Sequence, residues 1–128
     1  MILDSSAVVA ILMEEPEAED VLAKLRQPGS IGIGVPTLVE TSMVLTSRWR
    51  KDSAPILEKF LSELGALVLS FDEAHWRVAS EAFLRFGKGR HPAALNFGDC
   101  MSYATARVAG RPLLYVGADF PKTDLDLA

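Results

Sequence analysis

The stretch that decides the fold is residues 1–12, MILDSSAVVAIL, in which a short apolar segment leads directly into an amphipathic one. Residues 1–3 predict a β-strand. Asp4 after them is a favoured helix N-cap. The apolar residues that follow recur at helical spacing: Ala7, Val8, Ile11 and Leu12. A strand that continues into a helix without a linker is the unit from which parallel sheets are built.

The rest of the chain repeats this alternation of short apolar strands and helical segments. Strands are predicted at residues 31–35, 66–70 and 113–116, and helices at residues 16–27, 36–49, 53–65, 72–87 and 97–110. The run at residues 66–70 is continuously apolar, which is typical of a strand buried on both faces. We therefore predict an α/β fold, a three-layer α/β/α sandwich with a central parallel sheet. Because 128 residues, 49% of them apolar, suffice for one core, we expect a single domain over residues 1–128.

Composition excludes several classes of protein. The longest apolar runs reach only about a third of the ~20 residues that span a bilayer, and Asp4 stands where a secretory signal carries basic residues. The single cysteine, Cys100, forms no disulfide within the chain and excludes a cysteine-rich zinc site. We therefore expect a cytoplasmic protein with no membrane partner.

Acidic residues are concentrated at the two ends of the sequence. The net charge of −4 argues against a generic nucleic-acid binder, whose affinity comes from Lys and Arg. Residues 1–20 and 119–128 together hold nine acids and one base, whereas residues 21–118 hold 12 bases and eight acids. An electropositive surface can therefore coexist with a concentrated acidic site.

Four acids are predicted near the carboxyl ends of the strands, where open parallel sheets place their functional groups: Asp4, Glu40, Asp99 and Asp119. Taken singly, each also has a structural explanation. Asp4 suits a helix N-cap, and Asp119 suits a turn. Glu40 and Asp99 suit the first turns of helices, where a negative charge complements the helix dipole.

The neighbours of Glu40 and Asp99 differ. Glu40 is in line with an apolar stripe, where an unpaired carboxylate is costly and a cation is favoured: Pro36, Met43 and Val44. Asp99 lies roughly opposite the main predicted apolar face of its helix: Phe97, Met101, Ala104 and Val108. The face on its own side continues with small residues that let another element approach closely: Ser102, Ala106 and Ala109.

A cluster of these acids requires a cation. Two carboxylates about 5 Å apart repel by about 3 kcal/mol at an effective dielectric constant of about 20. Mg²⁺, with Mn²⁺ as a substitute, takes oxygen ligands and is commonly held by one or two carboxylates plus phosphate oxygens. The sequence therefore predicts metal-assisted hydrolysis of phosphodiesters.

Motifs at the start, in the second half and at the end of the chain carry a resemblance to a known family. The chain opens with DSSA at residues 4–7 and EEPE at 14–17, continues with KGRHP at 88–92 and LNFGDC at 95–100, and closes with GADF at 117–120 and TD at 123–124. On these motifs it resembles, nearly from end to end, the PIN-domain ribonucleases and within them the VapC toxins of bacterial toxin–antitoxin pairs. Two residues depart from the family pattern. Val116 stands where many relatives have Lys, and Ala118 replaces a polar or acidic residue.

The resemblance implies a Mg²⁺-dependent endoribonuclease that leaves a 5′-phosphate and a 3′-hydroxyl. It implies that the catalytic residues are Asp4, Glu40, Asp99 and Asp119, of which Asp4 and Asp99 bind the metal directly. It implies that the residues supporting these ligands are Ser5, Ser6 and Asp124. It further implies a homodimer, a VapB-like antitoxin as partner, and a structured RNA such as tRNA as substrate.

A basic segment lies shortly before Asp99 and predicts contacts with the RNA backbone: Arg85, Lys88, Arg90 and His91. Arg85 and Lys88 equally suit the C-terminal end of a helix, where cations complement the helix dipole. For Arg90, contact with RNA is the favoured interpretation.

Two other functions are compatible with an α/β chain of this length. A receiver domain needs an acidic pair after its first strand and a Lys after its last strand. Here Ser5 follows Asp4, and no Lys directly follows the fourth strand. The other alternative is a catalytically idle binding domain that keeps the fold, but none of the four acids is missing.

Overall fold

A computed structural model of the chain describes residues 1–128 and contains every predicted strand and helix. In chain order the elements are β1 (Ile2–Leu3), α1 (Ser5–Leu12), α2 (Ala18–Leu25), β2 (Gly32–Gly34), α3 (Val35–Trp49), α4 (Ala54–Leu64), β3 (Leu67–Leu69), α5 (Glu73–Phe86), α6 (Phe97–Ala109), β4 (Leu113–Leu114) and a 3₁₀ turn, Phe120–Lys122. The predicted start of α2 at Pro16 is two residues early, because the chain first turns at Glu14, whose φ is 52°. No helix is both long and apolar enough to cross a bilayer.

The four strands form one parallel sheet in the order β3-β2-β1-β4. Because all strands run the same way, Asp4 after β1, α3 after β2 and residues 115–119 after β4 follow strand ends at one edge of the sheet. Gly34 at the end of β2 lies against α6, where any side chain would collide with Thr105. The sheet and α6 therefore pack at close range.

Apolar side chains cover both faces of the sheet and form two cores. On one face, Leu3, Ile33 and Leu114 pack with residues of α1, α2, α3 and α4. On the other, Ile2 and Leu113 pack with α5, α6 and the C-terminal segment. The predicted three-layer α/β/α sandwich with a central parallel sheet is confirmed.

One prediction about burial is wrong, and a second is confirmed only in part. Residues 66–70 do not form a strand buried on both faces, since Leu67 is 60% exposed and Val68 is 51% exposed. The reason is that β3 is an edge strand and pairs only with β2. In α6 the predicted apolar face is buried only in part: Ala104 is buried and Met101 is half-buried, whereas Phe97 is 79% exposed and Val108 is also exposed.

The side of α6 that faces the sheet and α3 is rich in small and hydroxyl side chains, among them Gly98, Ser102, Thr105 and Ala106. Close packing against the sheet and α3 leaves no room for larger ones. The expected close approach at Ser102 and Ala106 is therefore confirmed, whereas Ala109 at the helix end is exposed.

Candidate active site

Asp4 is a buried carboxylate whose two oxygens both accept hydrogen bonds. It is 3% exposed and caps α1, where Oδ2 accepts from the Ser6 backbone N–H at 3.1 Å and from the Ser6 hydroxyl at 2.5 Å. Oδ1 accepts from the Ser102 hydroxyl of α6 at 2.5 Å. An N-cap needs only one of these oxygens, so the cap explains part of this environment and leaves the other oxygen to be explained.

Glu40 is brought against the first turn of α6 by a glycine. A Cβ atom on Gly98 would overlap the Glu40 carboxylate, so the absence of a side chain at Gly98 allows this approach. The predicted apolar stripe beside Glu40 is buried only in part: Pro36 and Val44 are half-buried, as Glu40 is, but Met43 is 65% exposed.

Asp99 completes the capping box that Asn96 begins at the start of α6, and the charges of the other three acids act on it. Its Oδ2 accepts from the Asn96 backbone N–H at 3.0 Å, and the Asn96 side chain accepts from the Asp99 N–H in return. Burial raises the pKa of Asp99 to about 6; the Asn96 hydrogen bond opposes the rise, and the charges of Asp4, Asp119 and Glu40 add to it. The three other predicted acids therefore all act on Asp99.

Asp119 lies on the exposed turn after β4 and makes no capping hydrogen bond with its side chain. It follows β4 at the edge of the sheet where Asp4 follows β1, and its charge adds to the rise in the pKa of Asp99. We call these four residues the acidic cluster: Asp4, Glu40, Asp99 and Asp119.

The donor chemistry of the acidic cluster fits a hard divalent cation. It offers only carboxylate oxygens, and the charges acting on Asp99 have no basic partner among the ion pairs. No three His, Cys, Asp or Glu side chains lie close enough to form a complete ligand set. This arrangement suits Mg²⁺, which keeps several waters and is held by one or two carboxylates.

Of the two serines predicted to support the metal ligands, only Ser6 contacts one of them. Ser6 supports Asp4 directly, and its oxygen accepts from the Val116 N–H at 2.9 Å. The backbone of Val116 therefore serves the site although its side chain departs from the family pattern. Ser5 is half-buried, and its side chain makes no hydrogen bond.

Asp124 lies in a different cluster from the one predicted. It accepts from the Tyr103 hydroxyl at 2.6 Å and pairs with Arg85 and Arg107, each at 3.1 Å. Burial alone would raise its pKa, but the Tyr103 hydrogen bond and the two Arg charges outweigh burial and lower that pKa. Asp124 thus fastens the C-terminal segment to α5 and α6, and it contacts none of the four acids.

Of the four residues in the basic segment, two have partners within the protein and two have no carboxylate partner. Arg85 is neutralised by Asp124, and the ring of His91 packs on Phe86 while its Nδ1 accepts from the Ala93 N–H. Lys88 and Arg90 are exposed and have no carboxylate partner, and Arg90 lies over the ring of Phe83. Within this segment, Lys88 and Arg90 are therefore the two cations without a carboxylate partner.

Two residues that contact the acids or their partners were missed in the sequence: Gly98 lies against Glu40, and the Thr37 hydroxyl lies 3.1 Å from the Ser102 hydroxyl. Gly98 and Thr37 carry no chemical signal, because a glycine in a helix and a threonine near a helix start have many structural uses. Ser102, three residues after Asp99, was predicted to share the face of Asp99 and to allow close packing. Its bond to Asp4 depends on the tertiary packing of α6.

Residues 1–125 match the sequence model of the PIN domain. The chain belongs to the PIN-domain family. It is 50% identical over 127 residues to ribonuclease VapC36 of Mycobacterium tuberculosis, covering 98% of this chain and 91% of that protein. It is 38% identical over 125 residues to a ribonuclease VapC of Mycolicibacterium smegmatis, covering 98% and 97% of the two chains.

Solved structures of PIN-domain toxins share the fold. The crystal structure of M. tuberculosis VapC20, a toxin that cleaves the sarcin–ricin loop, superposes with a TM-score of 0.78 at 19% identity, covering 99% of this chain and 97% of that one. VapBC2 of Rickettsia felis, bound to a fragment of its promoter DNA, gives 0.77 at 16% identity, covering 99% and 96%.

Family membership confirms the resemblance read from the motifs. The chain is a PIN-domain endoribonuclease of the VapC type, a class of hydrolases that depends on divalent metal ions. The receiver-domain alternative is thereby excluded.

Proposed function

We propose that this PIN domain hydrolyses RNA phosphodiesters at the acidic cluster with Mg²⁺, or Mn²⁺ in its place, held by Asp4 and Asp99. The observation that carries the proposal is the gathering of the four acids at one edge of the sheet, with Glu40 against the first turn of α6 and the charges of Asp4, Asp119 and Glu40 all acting on the half-buried Asp99. When bound, the cation lowers the pKa of water and neutralises the charge that develops on the phosphate. It would also relieve the repulsion within the acidic cluster.

The residues of the cluster would divide the remaining tasks. Asp4 is buried and fixed by hydroxyls, so it provides a rigid ligand. Asp99 is held by its Asn96 bond at one oxygen, which leaves the other oxygen for the cation. Glu40 and Asp119 are more exposed and would orient the attacking water and accept its proton.

The substrate we propose is a structured RNA such as tRNA, held by Lys88 and Arg90 beside the acidic cluster. Both cations are exposed, and both lie in the loop that leads to α6 and Asp99. The phosphate backbone of RNA supplies the negative charge that they would neutralise.

Replacing Arg90 with Ala should weaken RNA binding and make it less sensitive to salt. The slope of log affinity against log salt should fall by about 0.7 to 0.9 for each phosphate that the variant no longer neutralises. Fluorescence anisotropy over a series of salt concentrations measures this slope. The matched control is Arg77→Ala on α5, because Arg77 is already paired with Glu73 and should leave the slope unchanged. An unchanged slope in Arg90→Ala would show that Arg90 does not touch phosphate.

We further propose that the chain is the toxin of a VapBC pair and works in the cytoplasm as a homodimer restrained by a VapB-like antitoxin. Structural relatives that share the fold are toxin–antitoxin assemblies, among them a complex from Klebsiella pneumoniae with a TM-score of 0.71. The homodimer is supported by a groove of about 820 Å³ between α5 and the start of α6, whose exposed residues include Trp76, Leu84 and Phe97.

Incubation of the purified chain with tRNA tests the proposal directly. We expect cleavage with Mg²⁺, less or equal cleavage with Mn²⁺, and none in EDTA, because the carboxylates alone supply no positive charge to the phosphate. Mapping of the new ends should give 5′-phosphates. An idle binding domain would bind RNA without cutting it under all three conditions.

A further inference from the structure

Two buried hydroxyl residues, Thr37 of α3 and Ser102 of α6, connect their helices to Asp4. Thr37 is 1% exposed and Ser102 is 0% exposed. The Thr37 Oγ1 lies 3.1 Å from the Ser102 Oγ, and the Ser102 hydroxyl donates to Asp4 Oδ1 at 2.5 Å. Neither the similarity to known proteins nor the proposed mechanism assigns a role to either residue.

The direction of this hydrogen-bond chain follows from the number of protons. An ionised carboxylate only accepts, so the single hydroxyl proton of Ser102 is committed to Asp4. The Ser102 oxygen must then act as the acceptor toward Thr37, which donates. On Oδ1, Thr37 thus donates to Ser102, which donates to Asp4. A similar chain ends on Oδ2, where the Val116 N–H donates to Ser6 and the Ser6 hydroxyl donates to Asp4.

Thr37 differs from the other buried threonines of these two helices. Thr41 donates its hydroxyl to the Thr37 carbonyl one turn earlier in α3, and Thr105 donates to the Met101 carbonyl in α6. Both bonds stay within one helix, which is the ordinary arrangement for a helical threonine. The hydroxyl of Thr37 instead crosses to the neighbouring helix.

We propose that Thr37 and Ser102 are positioning residues that fix the orientation of the Asp4 carboxylate for the divalent cation. This inference rests on the proposed function. A carboxylate held at only one oxygen can rotate, whereas donors on both oxygens hold its plane fixed. The chain also links α3, which carries Glu40, and α6, which carries Asp99, to the end of β1. Partners that orient a metal ligand change metal affinity without touching the metal.

The test compares Thr37→Val and Ser102→Ala with variants that lose a hydroxyl of the ordinary kind. Thr41→Val is the control for α3 and Thr105→Val is the control for α6. Thr37→Ser restores the donor. Binding of Mn²⁺ by the purified protein, followed by electron paramagnetic resonance, needs no catalysis, and RNA cleavage is measured in parallel.

We expect Thr37→Val and Ser102→Ala to weaken Mn²⁺ binding by about 10- to 100-fold and to slow cleavage at fixed metal concentration. Thr37→Ser should bind Mn²⁺ within about twofold of the wild type, as should Thr41→Val and Thr105→Val. If Ser102→Ala fails to fold, Thr37→Val decides the question. Valine matches threonine in shape, and residue 37 reaches Asp4 only through Ser102, so this change disturbs the fold less.

Wild-type Mn²⁺ affinity in a folded Thr37→Val protein would overturn the inference and leave the proposed function intact. Equal losses in Thr37→Val and in Thr41→Val would also overturn it, because they would reveal a general effect on packing. A wild-type protein that neither binds Mn²⁺ nor cleaves RNA would overturn the proposed function and this inference with it.

Discussion

Replacing Asp99 with Asn should slow RNA cleavage by about a thousandfold or more and remove growth arrest in cells that express the chain without an antitoxin. An amide is a weak ligand for Mg²⁺. The cation contributes several kcal/mol to stabilisation of the transition state, and each 1.36 kcal/mol is a factor of ten in rate. The measurement is the first-order rate of cleavage of a labelled RNA, together with colony counts after induction.

The matched control is Asp126→Asn, which removes one negative charge from an exposed residue outside the acidic cluster. It should cleave RNA and arrest growth as the wild type does. Full toxicity of Asp99→Asn, with Asp126→Asn equally toxic, would contradict the assignment of the metal to Asp99.

Replacing Gly98 with Ala should cost about a hundredfold in cleavage rate, although the change adds one methyl group and removes no functional atom. The new methyl would occupy the space of the Glu40 carboxylate, so Glu40 must move away from the acidic cluster. A displacement of about 1 Å at a catalytic group costs on this order. The cleavage rate at saturating Mg²⁺ measures the loss.

A double-mutant cycle separates this mechanism from damage to the fold. In a Glu40→Ala background the obstructing carboxylate is absent, so adding Gly98→Ala should cost nothing more in activity. Alanine is also the better helix former, which should keep the double variant as stable as Glu40→Ala alone. A further large loss in the double variant would show that Gly98 acts through something other than Glu40.

The sequence predicts the sandwich well because its signals are local. Asp4 and Asp72 cap α1 and α5 through their side chains, and Gly65 and Gly110 end α4 and α6 in the left-handed conformation that glycine favours. Parallel pairing then follows from the alternation of strands and helices, and it brings the acids after β1 and β4 to one edge of the sheet.

The errors arise where tertiary packing decides. The apolar sequence of residues 66–70 does not reveal that β3 is an edge strand, which pairs with β2 alone. Periodicity alone assigns the large residues Phe97 and Val108 to the core of α6. In the structure Phe97 and Val108 are exposed, and the small side of α6 packs closely on a glycine of β2. The pairing of Asp124 with Arg85 likewise joins distant parts of the chain and leaves no local pattern.

The raised pKa of Asp99 also gives the metal-free protein a defined dependence on pH. Its pKa rises from 3.8 to about 6 on folding, so protonation stabilises the folded state. This contribution is fully present below about pH 4 and is lost as the pH rises through about 6. The difference in unfolding free energy between wild type and Asp99→Asn isolates it from carboxylates such as Asp72, whose lowered pKa acts in the opposite direction.

Urea unfolding of the wild type and Asp99→Asn at pH 7, each in EDTA and in Mg²⁺, tests most directly whether the four acids form a metal site. In EDTA, Asp99→Asn should be the more stable protein by on the order of 1 kcal/mol, because it removes a repelled charge that solvent partly screens. Mg²⁺ should stabilise the wild type and have much less effect on the variant. If Asp99 were only a cap, the variant would be less stable in EDTA by about 0.3 to 1 kcal/mol, and Mg²⁺ would stabilise both proteins equally. That result would contradict the metal site.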